Sequence, residues 1–230
     1  VDEGQDFALG WLESLQLLLR DTDHGVFWVF HDPAQALFRP DVVGQLGLDR
    51  LELFEDHRTP PLVSRQATRF RDDGAEIEVF REEGLPAEIV AAGPGAETVE
   101  AVRTTLHRLI VEEQVPPFRI AVLSGTSPTK SDVWRQRRFG NAVLWNEAFD
   151  DEGRSKGLPP EQVPDEPPDV VLFETIRRFK GLEREVIVLC ELPEDAGRLD
   201  ELLYVGLTRA TTHVVVIAPP ALAERLRSSG

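Results

Sequence analysis

The chain has 230 residues, 41% of them hydrophobic, and a formal net charge of −16. That is enough apolar material for one large core or two smaller ones. The charge argues against binding nucleic acid through a broad basic surface and leaves only a narrow basic track on one face. A single cysteine, Cys190, excludes an internal disulfide, and its place in the apolar run VIVLCEL reads as a packed thiol. No signal peptide or membrane-spanning apolar run is visible, so a soluble, cytoplasmic protein is expected. The chain has no methionine, and the expectation is a fragment or a processed product.

In chain order, residues 8–20 (ALGWLESLQLLLR) have helical apolar spacing, and 26–32 (VFWVFHD) reads as a buried strand ending in a polar turn. A short helical stretch follows Pro40. Pro60 and Pro61 suit the first turn of a helix running to about residue 71. Residues 76–81 and 87–91 read as two short strands around a Glu-Gly turn, and 97–114 as a long amphipathic helix. Residues 119–124 (RIAVLS) form a buried strand pattern and 132–139 a helix. Residues 146–168 are rich in Pro, Gly, Asp and Glu and read as an exposed, flexible connection. The pattern then resumes: strands at 169–176 (DVVLFETI) and 185–192 (EVIVLCEL), a helix at 199–210, a strand at 213–219 (HVVVIAP) and a closing helix at 221–227. Alternating strands and helices predict an α/β fold with a parallel sheet. The boundary falls near residues 48–60, with 1–50 as the tail of one unit and 51–230 as a complete second one.

Five stretches carry candidate chemistry. In VDEGQDF an apolar residue leads into Asp2 and Glu3. Hydrolysis of a nucleoside triphosphate needs a carboxylate to help hold magnesium and a second group to handle the attacking water. A solvated acidic turn accounts for the same letters equally well. In HDPAQALF, Gln35 is suited to a γ-phosphate or its water, and Phe38 to stacking on a base; a turn with a core phenylalanine is the plainer reading. Arg58 in EDHRTPP offers a fixed cation for phosphate, or is a surface arginine at a helix start. In ETIRRFKGLEREVIVL, a basic turn carrying Arg177, Arg178 and Lys180 is followed by Gly181 and Glu183. It suits a phosphate backbone and a ribose hydroxyl, or is a solvated turn. Near the end, LLYVGLTRA puts Arg209 behind a helix and at the start of a strand.

Taken together, VDEGQD, D-x-x-Q, HR, KGLE and YVGLTRA resemble, in order, motifs II to VI of the UvrD/Rep-like superfamily 1 DNA helicases. KGLE followed at this distance by LLYVGLTRA is the most specific part. The resemblance implies a RecA-like, P-loop NTPase-type fold, with one complete lobe (51–230) and the tail of another (1–50). It implies ATP and Mg2+ as cofactors, with Asp2 helping to hold the metal, Glu3 as catalytic base, and Gln35 sensing the γ-phosphate. Arg58 and Arg209 would reach that phosphate from the second lobe, and Glu183, beside Gly181, would bind the nucleotide's ribose. Phe38, Thr175, Arg177 and Lys180 would meet single-stranded DNA. The implied function is a fragment of an ATP-dependent helicase or translocase. No G-x-x-x-x-G-K-[ST] loop occurs in the chain, so its other partner would be a missing N-terminal part holding that loop, and the fragment alone is expected to be inactive. The rival is a non-catalytic RecA-like module that binds protein or DNA.

The departures are specific. His31 stands where the family has Gly, Asp56-His57 where it has Asn-Tyr, and Arg177 where it has His. The acidic-basic run before motif VI is reduced to LDELLYV. The stretch from Arg58 to Thr175 is short for a lobe with the large 2B insertion, and 146–168 marks where that insertion would sit. GTSPTKS (125–131) follows a strand like a phosphate loop, but it lacks the glycine before Lys130, and Pro128 removes a backbone N–H. It is expected to be a decoy.

Overall fold

The computed structural model describes residues 1–230 apart from 22–23, 72–76, 82–83, 160–161, 163, 194–195 and 229–230. Its centre is a sheet of seven strands: β3 (Glu88–Ala91), β4 (Ile120–Ser124), β5 (Arg138–Phe139), β6 (Ala142–Trp145), β7 (Val171–Thr175), β8 (Arg184–Cys190) and β9 (Ala210–Ala218). Their spatial order is β3-β9-β8-β4-β7-β6-β5. All neighbours are parallel except the short β5–β6 pair. A separate parallel pair joins β1 (Glu55–Asp56) to β2 (Glu78–Val79).

The central strands are apolar on both faces because both faces are covered, as parallel sheets require. In β8, Ile187 and Leu189 enter one core while Val186, Val188 and Cys190 enter the other. The first core is closed by α2 (Pro61–Thr68), α5 (Ala196–Leu207) and α6 (Pro220–Ser228). The second is closed by α3 (Ala96–His107) and α4 (Asp132–Gln136). Gly206 lets α5 lie close on the sheet, since a Cβ there would stand 2.8 Å from the Leu189 side chain. Cys190 is fully buried, as its sequence context predicted.

The expected elements recur with shifted ends. α1 is Leu9–Gln16, shorter than the predicted 8–20. The helix expected at 132–139 stops at Gln136, because Arg137 takes φ 51° and turns the chain into β5. The strand expected at 76–81 contributes β2, its first residue lying outside the described ones, as does part of the turn after it. The following strand, β3, joins the other sheet. Two departures are larger. Residues 26–32 are extended but form no ladder strand: their backbone bonds to the chain start are Val1 N to Trp28 O, Phe30 N to Val1 O and Gly4 N to Phe30 O, at 2.7–2.9 Å. The first part of the 146–168 connection is packed: Phe149 and Asn146 are buried, and the Trp134 indole donates to Asp150 O at 3.1 Å.

Candidate functional site

The two ends of the chain meet in one polar cleft. From the N-terminal side, Glu3 is held at φ 52°, a left-handed conformation uncommon for a side-chain-bearing residue and often found at functional sites. Its carboxylate accepts from Gln5 Nε2 at 2.6 Å and pairs with Lys180 at 3.2 Å. Lys180 also pairs with Asp6 at 2.7 Å, and its side chain is only 4% exposed. Asp2 is exposed, with Oδ1 accepting from the Glu3 N–H at 2.9 Å.

From the other side, the chain leaves the end of β7 in a single helical turn. Phe179 N donates to Thr175 O, and Leu182 N to Phe179 O, both at 3.0 Å. Gly181, at φ 80°, then reverses it into β8. A Cβ on Gly181 would stand 3.8 Å from the Glu3 carboxylate. This reversal turns Lys180 inward to the acidic pair. The residue expected on the DNA track is therefore an internal cation of the cleft, while Glu183, just beyond, is exposed.

Arg209 follows α5 and is 2% exposed. It donates to Val205 O at 3.0 Å, to the Thr208 hydroxyl at 2.9 Å and, more distantly, to Gln35 Oε1 at 3.4 Å. Burial and then the nearby Arg58 cation pull its guanidinium down to about 10, against the opposing charge of Glu3. It remains protonated at neutral pH. Its hydrogen-bond acceptors are all neutral oxygens, and a buried cation without a directly bonded carboxylate favours an anion.

Arg58 is exposed and reaches Glu183 at 3.6 Å. Its loop is ordered by Asp56, which accepts from Arg58 N (3.0 Å), Thr59 N (2.9 Å) and the Ser64 hydroxyl (2.8 Å). Burial pushes the Asp56 carboxyl up, but these bonds together outweigh it and hold it below the usual value. His57 stacks on Phe80 with ring centroids 4.7 Å apart. The Asp-His pair thus gives its arginine a braced loop.

Asp32 is a hub that the sequence did not single out. Its backbone N–H donates to Gln5 Oε1 at 3.1 Å. Its carboxylate accepts from Ala34 N (3.1 Å), Gln35 Nε2 (2.8 Å) and the Tyr204 hydroxyl (2.8 Å), with Arg71 at 3.4 Å. Gln5, Asp6, Asp32 and Tyr204 all lie inside the motif stretches and were legible by position. Arg71 carried no signal.

The remaining DNA candidates are Phe38, Thr175 and Arg177. Phe38 is 55% exposed. Thr175 ends β7, and its hydroxyl accepts from Arg178 N at 3.2 Å. Arg177 is half-buried; its neighbour Arg178 lies over the Phe149 ring and pairs with Glu174. The GTSPTKS stretch is filled from within: Glu191 accepts from the Ser124 and Ser131 hydroxyls and from Asp132 N and Val133 N at 2.6–3.1 Å. A protein carboxylate takes the donors that a phosphate would need.

Among the described residues no group of three or more His, Cys, Asp or Glu side chains is arranged to hold a metal by itself. Magnesium commonly uses one or two carboxylates and completes its shell with water and substrate phosphates. The exposed Asp2 carboxylate and the buried, unpartnered Asp6 Oδ1 fit that chemistry.

Residues 171–217, from β7 through β9, match the family model described as the UvrD-like helicase C-terminal domain. Among solved structures the chain is similar to the C-terminal domain of a possible DNA helicase from Lactobacillus plantarum WCFS1. The identity is 14%, the match covers 71% of this chain and 88% of that one, and the TM-score is 0.47. No curated protein matches the chain. Its resemblance to UvrD-like helicases is carried by the segment that holds KGLE and YVGLTRA.

Proposed function

We propose that the cleft is the nucleotide seat of an ATP-dependent DNA helicase or translocase, of which this chain is a part. The observation that carries the reading is the meeting of Glu3, Asp6 and Gln35 with Lys180 and Arg209, in pairs 174 to 177 positions apart in the chain, with the Arg58 cation close enough to act on Arg209. Glu3 would take the proton of the attacking water, and Gln35 would orient that water. Arg209, and Arg58 from its braced loop, would face the γ-phosphate from the second unit. Glu183, beside Gly181, would accept from the ribose. Asp2 would help hold magnesium, which would supply charge neutralisation to the phosphates. The ion pairs seen in the cleft are then resting partners: Lys180 keeps Glu3 in place, and Glu183 keeps Arg58. Phe38, Thr175 and Arg177 would track single-stranded DNA, a local basic and aromatic path on an acidic chain.

The test is ATP hydrolysis by the natural full-length polypeptide, with and without single-stranded DNA, compared with its Glu3→Gln variant. Turnover that DNA stimulates and Glu3→Gln abolishes is the expected result. DNA binding without turnover would instead support a non-catalytic module. The 230-residue chain alone is expected to be inactive, since it contains no phosphate loop with its lysine.

A further inference from the structure

We infer that Tyr204 and Arg71 are positioning residues that fix the orientation of the Gln35 amide by clasping Asp32 from the second unit. This role rests on the nucleotide reading of the cleft.

The argument begins with donors and acceptors. An ionised carboxylate only accepts, so Asp32 Oδ2, 2.8 Å from the Gln35 amide, must face its NH2 side. The Gln35 carbonyl oxygen is thereby turned outward, toward Arg209 at 3.4 Å. An acceptor at that point can take a hydrogen from a water, whereas a flipped amide would present two donors instead. Which way Gln35 points therefore depends on where Asp32 is held.

Asp32 lies on the short turn Pro33–Gln35, outside the sheet, and its side chain is part-exposed. Its own segment caps Oδ1 with Ala34 N at 3.1 Å and holds its N–H on Gln5 Oε1; the other unit adds a hold on Oδ2 and a cation beside Oδ1. Tyr204, on α5, donates its hydroxyl to the same Oδ2 at 2.8 Å. Arg71 donates to the Tyr204 oxygen, sits over its ring at 5.1 Å and approaches Asp32 Oδ1 at 3.4 Å. Tyr204 is 4% exposed. Burial, with the Asp32 charge, keeps its phenol protonated and so a donor throughout the physiological range.

The same helix carries the opposing group. Thr208 donates its N–H and its hydroxyl to Tyr204 O, and Arg209 follows directly. One rigid segment therefore sets both Asp32, through Tyr204, and Arg209. A rotation of α5 against the N-terminal unit would release the amide and withdraw the guanidinium together.

Tyr204 is the only tyrosine in the chain, so a 13Cζ-tyrosine label gives one resonance that reports this hydroxyl alone. Asp32→Asn and Arg71→Gln are each expected to move that resonance in the 230-residue chain, with circular dichroism confirming the fold. An unmoved resonance in both variants would overturn the clasp, whatever the chain does with nucleotide. In the natural full-length polypeptide, Tyr204→Phe is expected to lower kcat for ATP by about tenfold, with KM changed by less than about twofold. Adding Gln35→Ala to Tyr204→Phe is expected to lower kcat no further than Gln35→Ala does. Independent, multiplying losses would show that Tyr204 does not act through Gln35 and would overturn the proposal. A wild-type enzyme without ATPase activity would instead remove the nucleotide reading, and this role with it, while the resonance would still report the clasp as a contact. If Asp32→Asn fails to fold, the Arg71→Gln and Tyr204→Phe arms decide.

Discussion

Residues 1–50 and the seven-stranded unit contribute to the same cleft by different means. The sheet buries apolar side chains on both faces, so Lys180, Glu183 and Arg209 project from elements fixed by two cores. In the N-terminal segment, the large apolar side chains that are buried are Leu12, Leu37 and Val43, while Trp11, Leu17, Leu18, Val26, Trp28 and Phe30 face outward. Leu37 is its one buried residue in the sheet's first core, with Ala34 packed beside it. The remaining attachments described above are polar: Lys180 to Glu3 and Asp6, Tyr204 and Arg71 to Asp32, and Arg209 to Gln35. One region supplies rigidity, and the other supplies carboxylates and an amide held largely by charge and hydrogen bonds. Interfaces of that kind suit units that move relative to each other.

The contrast makes predictions of descending size. The largest concerns Arg209, the point where the rigid unit meets the polar one. In the natural full-length polypeptide, Arg209→Ala is expected to leave ATP binding nearly intact and to cut turnover by roughly three orders of magnitude or more. Arg209→Lys should restore little, because a point charge does not replace a planar fork. Normal turnover with only a lower melting temperature would reduce Arg209 to a structural residue.

Next come the cores. Leu189→Ala, at a fully buried site in β8, is expected to destabilise the chain by about 2–5 kcal/mol in denaturant unfolding. Trp28→Ala, on the exposed row, should change stability by no more than about 0.5 kcal/mol. Similar losses at the two sites would erase the distinction between the regions.

Hydrogen exchange measures the same difference without substitution. Amides in residues 1–50 are expected to exchange faster than those in 171–217, because their backbone is held by few ladder bonds and little buried surface. Equal protection would mean that the N-terminal segment is bound to the sheet more firmly than its burial implies.

The smallest effect lies at the join. The Asp56 carboxyl is held below its ordinary value, so its ionised form stabilises the fold. That contribution is present above the unfolded-state value of about 4 and is lost as pH falls through the lower folded value. Asp56→Asn should therefore flatten part of the fall in stability below about pH 4, read as a smaller shift in urea midpoint than in the wild type. An unchanged pH profile would show that the Arg58 loop does not depend on that charge.

Much of the fold was legible because β4, β7, β8 and β9 are apolar runs whose two faces are both buried, a pattern that survives without context. The short β5 and β6 were missed: two- and four-residue strands have too little periodicity to register, and Arg137's left-handed turn is not written in its side chain. Residues 146–168 read as a loose connection because Pro, Gly and acidic residues dominate them, yet Phe149, near its start, packs against Trp134. In the cleft, residue types were readable from the motifs but directions were not. Lys180 reads as one more cation of a basic turn, and only the reversal at Gly181 turns it toward Glu3. Arg71 and Tyr204 meet Asp32 across more than 170 positions in the case of Tyr204, a distance over which local spacing carries no information.

The place of β9 has a consequence for how the molecule is made. It pairs with β3 on one side and β8 on the other, Glu88 opposite Val215 and Val188 also opposite Val215, yet it is the last of the described strands in the chain. A chain emerging from the ribosome must carry β3 unpartnered, and one side of β8 open, until residue 218 has been made. Parallel pairings over such separations close long loops and form slowly, so the growing chain is exposed to mispairing through most of its synthesis. Arg209 directly precedes β9, and its carbonyl oxygen accepts from Arg184 N at the start of β8 at 3.0 Å. The residue proposed to complete the cleft therefore arrives in the same step that closes the sheet, and a chain that has not folded to the end has no means of presenting it.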